Sequence, residues 1–166
     1  PTNGRMLTVL SPGIEEMREF AEASSMFADV CIIRKQPVEA KEALMEALQC
    51  IDSTAPVVLG RGGDAGSALR ELRWLGRPLW VRAIAYAPPG LGMFGRHLVV
   101  LHEQLATIGL IIGESYAEVS ALRAINLASL VHRDAQMGER RAGSDQQRAM
   151  ARKAALKKVR ESSLPS

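Results

Sequence analysis

The stretch "VVLGRGGDAGSALRELRWLGRPLWV", residues 57–81, sets an apolar run, a glycine turn, an amphipathic segment and a second apolar run in succession. "APVVLG" (55–60) is short and wholly apolar, as a strand covered by helices on both faces requires. Ala65 to Leu75 carries Leu69, Leu72 and Leu75 at helical spacing, which predicts a helix with those leucines turned inward. "RPLWVRAIAY" (77–86) alternates in part and reads as the next strand. Strand, turn, helix and strand make a βαβ unit.

The same alternation extends in both directions. "RMLTVL" (5–10) reads as a first strand, followed by Ser11 as a helix cap and Pro12 at the first helical position. That helix is expected to reach about Met26, with Ile14, Met17, Phe20 and Ala21 on one face. "ADVCIIRK" (28–35) gives a second strand. Pro37 then opens a helix whose stripe is Val38, Ala40, Leu44, Met45, Leu48 and Ile51. "APPGLGMFG" (87–95) reads as a loop, because its prolines and glycines break both regular patterns. A helix ending at Gly109 and a fifth strand, "LIIG" (110–113), complete the expected sheet. From Tyr116 the pattern is helical to about Val131 and again from Gln136 to Arg160, with "MGERRAGSD" (137–145) between the two. The expectation is an α/β domain over 1–131, with a mostly parallel sheet of about five strands, and a helical extension over 132–166.

Composition bounds the functions open to such a chain. With 166 residues, 47% apolar and 23% charged, one domain can bury a core. An aromatic content of 4% argues against a base-stacking platform built from many rings, so nucleic-acid contact is expected to be mainly electrostatic. Cys31 and Cys50 are the only cysteines, which indicates neither a disulfide framework nor a zinc site and suits a reducing cytoplasm. No cofactor is implied. No apolar run approaches the ~20 residues that span a bilayer, so no membrane contact is expected.

Charge is distributed unevenly. Residues 132–160 carry nine cations, including Arg140, Arg141, Arg148, Arg152, Lys153, Lys157 and Lys158, against three carboxylates. Residues 1–131 hold twelve basic and fourteen acidic side chains. A cationic tail on a near-neutral body favours a polyanion such as nucleic acid, or an acidic partner. A solvated helix that only keeps the chain soluble has the same composition, and docking on another subunit in a homodimer would also use such a helix.

"GRGGDAGS" supplies the parts of a phosphate cradle. Gly60, Gly62 and Gly63 permit close backbone approach, Arg61 offers a planar cationic fork, and Asp64 is placed to cap the next helix, with Ser67 one turn in. The spacing is neither that of the Walker A loop nor that of the dinucleotide fingerprint. A plain strand-to-helix turn uses the same glycines.

"RGGDAGSALRELRWLGRPLWV" resembles the DNA-processing protein A (Smf) family, in which an Arg-Gly-x-Asp-Ala turn closes a strand and a helix leads to a Gly-Arg pair. Arg61, Gly62, Asp64, Ala65, Gly76 and Arg77 match that pattern. "APPGLGMFGRHLVVLHEQLATIGLIIGES" is similar to the family's Pro-Pro loop, helix and strand, so the likeness covers residues 30 to about 130. It implies a Rossmann-like three-layer fold and binding of single-stranded DNA in DNA processing or recombination. Arg61 would contact phosphate with Asp64 beside it, and Arg34 and Arg123 would match the family's other arginines.

Two other likenesses imply different chemistry. The same superfamily holds phosphoribohydrolases, which cleave the base from a nucleotide. That comparison would make Glu71 or Glu114 the acid/base group and a nucleotide phosphate the ligand. A likeness to the large subunit of exonuclease VII runs through "SPGIEEMREF", "GRGG" and His97, without that family's carboxylate motif. A third class, a non-catalytic protein-interaction module, needs no ligand at all.

Overall fold

A computed structural model describes residues 13–52 and 65–162, and for residues 65, 151, 152 and 154–162 it describes the backbone alone. Six helices make up the described chain: α1 (Ile14–Ile33), α2 (Pro37–Ile51), α3 (Ala65–Leu75), α4 (Leu79–Ala85), α5 (Leu91–Ile112) and α6 (Tyr116–Ser162). No strand occurs among the described residues, and this overturns the α/β, Rossmann-like expectation with its parallel sheet. The strands expected at 5–10 and 55–60, with Ser11 and Pro12, lie outside the described residues.

Each strand expected inside them is helical for a specific reason. In α1 the buried residues are Ala21, Ser24, Ala28 and Cys31, a series of three- and four-residue steps that continues through the supposed second strand. Val30 and Ile33 sit on the solvent side of that helix. Their β-branching costs a few tenths of a kcal/mol each, which a buried face overrides. The segment 77–86 is helical because Pro78 caps it, its carbonyl accepting from the N–H groups of Val81 and Arg82. "LIIG" is the last turn of α5, which passes through Gly109 and stops at Gly113 in the left-handed region (φ 73°).

Two further expectations change. The supposed loop 87–95 shrinks to four residues, because α5 begins at Leu91 and buries Leu91, Phe94, Gly95 and Leu98 at helical spacing. "MGERRAGSD" does not interrupt α6, whose backbone stays helical through Gly138 and Gly143.

The described residues fall into two units, the first ending at Leu130 and the second starting at Val131. In the first, α1, α2 and α5 pack on one another, and Leu44, Leu48, Leu98, Leu101, Leu105 and Ile108 are fully enclosed. α1 opens with Glu16 accepting the N–H of Gly13 at 3.0 Å, and Glu15 and Glu16 complement the positive end of the helix dipole. It closes on Lys35, whose φ of 60° lets Gln36 donate back to the Cys31 carbonyl at 2.8 Å. α2 starts with Pro37 in its first turn and buries Ala40, Leu44, Leu48 and Ile51 of the expected stripe together with Ala47, while Val38 is exposed and Met45 half-buried. Two glycines admit close backbone contact. A Cβ on Gly90 would meet the Ile51 carbonyl oxygen at 2.6 Å, and one on Gly109 would meet Ala117 and Tyr116 at 2.9 Å. No described helix is long and apolar enough to cross a membrane.

Candidate nucleic-acid interface

The first unit is organised around a buried polar network that α3 completes. The leucine face of α3 does not turn inward: Leu69 and Leu72 are 47% and 54% exposed, while Ser67 and Glu71 are buried. The inversion follows from hydrogen bonding, since a buried carboxylate needs partners and Glu71 finds them on α6 and at the C-cap of α4. Its Oε2 accepts from the Tyr86 hydroxyl and from Asn126 Nδ2 (3.0 Å), and its Oε1 lies 3.4 Å from Arg123 Nη1. Asn126 also donates to the Glu71 carbonyl and accepts from Arg82 Nη1 at 2.9 Å. Arg123 Nη2 donates to Asp52 Oδ2 at 2.9 Å. Burial, reinforced by the Glu71 carboxylate, pushes the Tyr86 hydroxyl well above its usual pKa and keeps it a donor.

A cavity of about 310 Å³ opens over this network, with Ser67, Arg70, Glu71, Trp74, Tyr86 and Arg123 among its lining. Ser67, Glu71 and Arg123, singled out by sequence in three separate contexts, therefore meet at one place. Arg123 is 5% exposed there and bridges Asp52 and Glu71. Both oxygens of Glu71 are engaged, which gives it the role of a structural anchor. Glu114 lies elsewhere, paired with Lys41 at 2.8 Å, and the Lys41 ammonium sits 4.9 Å from the Tyr116 ring centroid. Arg34 is exposed in the turn after α1. Gly60, Arg61, Gly62, Gly63 and Asp64 lie outside the described residues.

Sequence reasoning missed Asp52, Arg82, Tyr86 and Asn126. A signal existed for three of them, because Arg82 and Tyr86 stand four apart, and Arg123 and Asn126 three apart, at spacings that share a helix face. Reading 77–86 as a strand hid the first pair. The histidines divide as well: His97 reaches Glu22 at 3.0 Å, whereas His102 is fully buried. No group of three or more His, Cys, Asp or Glu side chains among the described residues is placed to hold a metal ion.

In the second unit the described backbone is helical to Ser162, and none of its described side chains is fully buried. From Asp134 to Met150 every residue is exposed, and Arg133 is half-buried. At about 100° per residue, Arg133, Arg140, Arg141 and Arg148 fall within an arc of roughly 100°, spread over about 22 Å of helix. Asp134, Glu139 and Asp145 fall outside that arc. Lys153 is exposed, and Arg152, Lys157 and Lys158 continue the helical backbone.

No protein-family model, no curated protein and no solved structure matches this chain.

Proposed function

We propose that the chain binds nucleic acid, and that the cationic face of α6 beyond Val131 is the contact surface. One observation carries the reading: a helix with no buried residue from Asp134 to Met150 sets Arg140, Arg141 and Arg148, with Arg133 behind them, on a single side. A helix that is polar all round gains little from its own core packing, and a partner that neutralises its charge stabilises it. Arginine suits phosphate, because its planar fork donates two parallel hydrogen bonds to one group. The free thiols of Cys31 and Cys50 fit a reducing cytoplasm as the compartment.

Binding of this kind is driven by counterion release and is therefore strongly salt-dependent. The three exposed arginines Arg140, Arg141 and Arg148 engaged on single-stranded DNA give a slope of log K against log salt near −2, at about −0.7 per phosphate. Fluorescence anisotropy of a labelled single-stranded oligonucleotide across a salt series tests this. The triple change Arg140→Ala, Arg141→Ala and Arg148→Ala is expected to flatten the slope by about 2. Absence of binding at low salt, or a slope the triple variant leaves unchanged, refutes the reading.

A further inference from the structure

We infer that the groove between α3 and α4 is a binding site for a nucleoside phosphate, its base against Trp74 and its phosphate on the surrounding arginines. The groove has a volume of about 410 Å³ and is lined by Arg70, Arg73, Trp74, Arg77 and Val81, with largely apolar walls. That size is within the ~300–1,000 Å³ common to small-molecule sites. The three arginines stand at steps of three and four residues along α3 and its closing turn, where Arg77 donates its N–H to the Trp74 carbonyl at 3.0 Å. All three are exposed, and none has an ion-pair partner among the described residues. An apolar slot rimmed by three exposed guanidinium groups selects a ligand with one flat apolar part and one anionic part.

The indole is held in place from behind. Its ring centroid lies 5.5 Å from that of Tyr86 at a tilt of 48°, and the Tyr86 hydroxyl is fixed on Glu71, itself held by Asn126 and Arg123. The buried network thus supports a half-exposed aromatic ring between two cavities, since Arg70 and Trp74 line this groove and the one over Glu71 alike. A ring so positioned loses little freedom when a base stacks on it. The aromatic content of 4% excludes a platform of many rings, but a single preorganised indole needs none.

The inference goes beyond the α6 reading and does not depend on it. The base and phosphate belong either to a free nucleotide or to one residue of a single strand, and the experiment separates the two. The probe is Trp74 emission in the full chain carrying Trp80→Phe, a change at a residue 62% exposed and absent from the groove lining. Titration with AMP is expected to change that emission saturably. The pair Arg73→Ala and Arg77→Ala should weaken AMP about tenfold while leaving the melting temperature in place. Adenosine, which lacks the phosphate, should bind about tenfold more weakly than AMP. A saturable change with a short oligonucleotide, measured in the chain that also carries the three alanines in α6, assigns the groove to a strand. A change with AMP only assigns it to a free nucleotide, and either outcome upholds the site. No saturable change with AMP or oligonucleotide, inorganic phosphate as effective as AMP, or indifference to the arginine pair overturns it. Loss of oligonucleotide binding in the α6 variant alone, with the AMP response kept, bears on the α6 surface and leaves the groove standing.

Discussion

Arg123 Nη2 lies 2.9 Å from Oδ2 of Asp52, and the two side chains are 6% and 0% exposed. The pair joins the C-terminal cap of α2 to the middle of the helical stretch that closes the first unit. Glu71, the second carboxylate at the same guanidinium, ties in α3. Three segments distant in sequence are thus fixed by one side chain.

Removing that side chain leaves two buried carboxylates without their cation. Arg123→Met is expected to destabilise the fold by about 3–5 kcal/mol, the range for breaking a buried pair from one side. Asp52→Asn keeps a hydrogen-bond acceptor and leaves Glu71 on the arginine, so its cost should be smaller. Urea unfolding of the two variants gives the comparison, and equal or negligible losses would contradict the role assigned to Arg123.

His102 predicts how stability responds to acid. Burial, aided by the nearby Arg123 charge, lowers its pKa from 6.5 to about 3, and neither ring nitrogen has a hydrogen-bond partner among the described residues. The unfolded chain takes up a proton near pH 6.5 that the folded chain refuses until about pH 3. Stability from this group is therefore complete above about pH 6.5 and is lost as pH falls, by roughly 2 kcal/mol at pH 5. His102→Leu, of similar volume, removes both the titration and two unsatisfied polar atoms. Melting curves at pH 5 and pH 8 should differ less in the variant than in the parent chain. The same difference in both would show that His102 does not titrate as described.

The helix contact at Gly109 gives a third test. Gly109→Ala brings its methyl to 2.9 Å from both Ala117 Cβ and Tyr116 Cε2, and forcing those atoms apart is expected to cost about 1–3 kcal/mol. Gly92 is in the first turn of the same helix with nothing within 4 Å of an added Cβ, so Gly92→Ala should instead gain about 0.5–1 kcal/mol from helix propensity. The opposite signs are readable by thermal melting. Two losses of equal size would mean that crowding at Gly109 is not the cause.

The sequence was legible where apolar spacing ran long enough to have a period. α2 is such a case, with Pro37 at its start and Ala40, Leu44, Leu48 and Ile51 buried in step, although Val38 of the expected stripe stays exposed. The bounds of α3 were legible too, but its orientation was not. Leu69 and Leu72 advertise an apolar face, yet the residues that face inward are Ser67 and Glu71. A hydrophobic pattern carries no record of a hydrogen-bond partner that arrives from residue 123 or 126. The supposed strands failed for another reason. Runs of four to ten apolar, β-branched residues fit a buried strand and a buried helix equally, and only their neighbours separate the two. Ala28 and Cys31 join a helical series because Ala21 and Ser24 precede them. Arg82 and Tyr86 need a helical turn between them to reach Asn126 and Glu71 together.

The order of residues alone carries the division of charge between the body and the segment after Val131, the helical period of α2, and the lack of any run fit to span a bilayer. Those are sums or periods along the chain, and they survive any arrangement of it in space. Packing in three dimensions makes the short apolar runs helices, turns Glu71 inward, and brings Arg70, Arg73, Trp74 and Arg77 to one groove with Val81. Burying a carboxylate or orienting an indole depends on partners far away in sequence, here Arg123, Asn126 and Tyr86, which only the folded chain brings within reach.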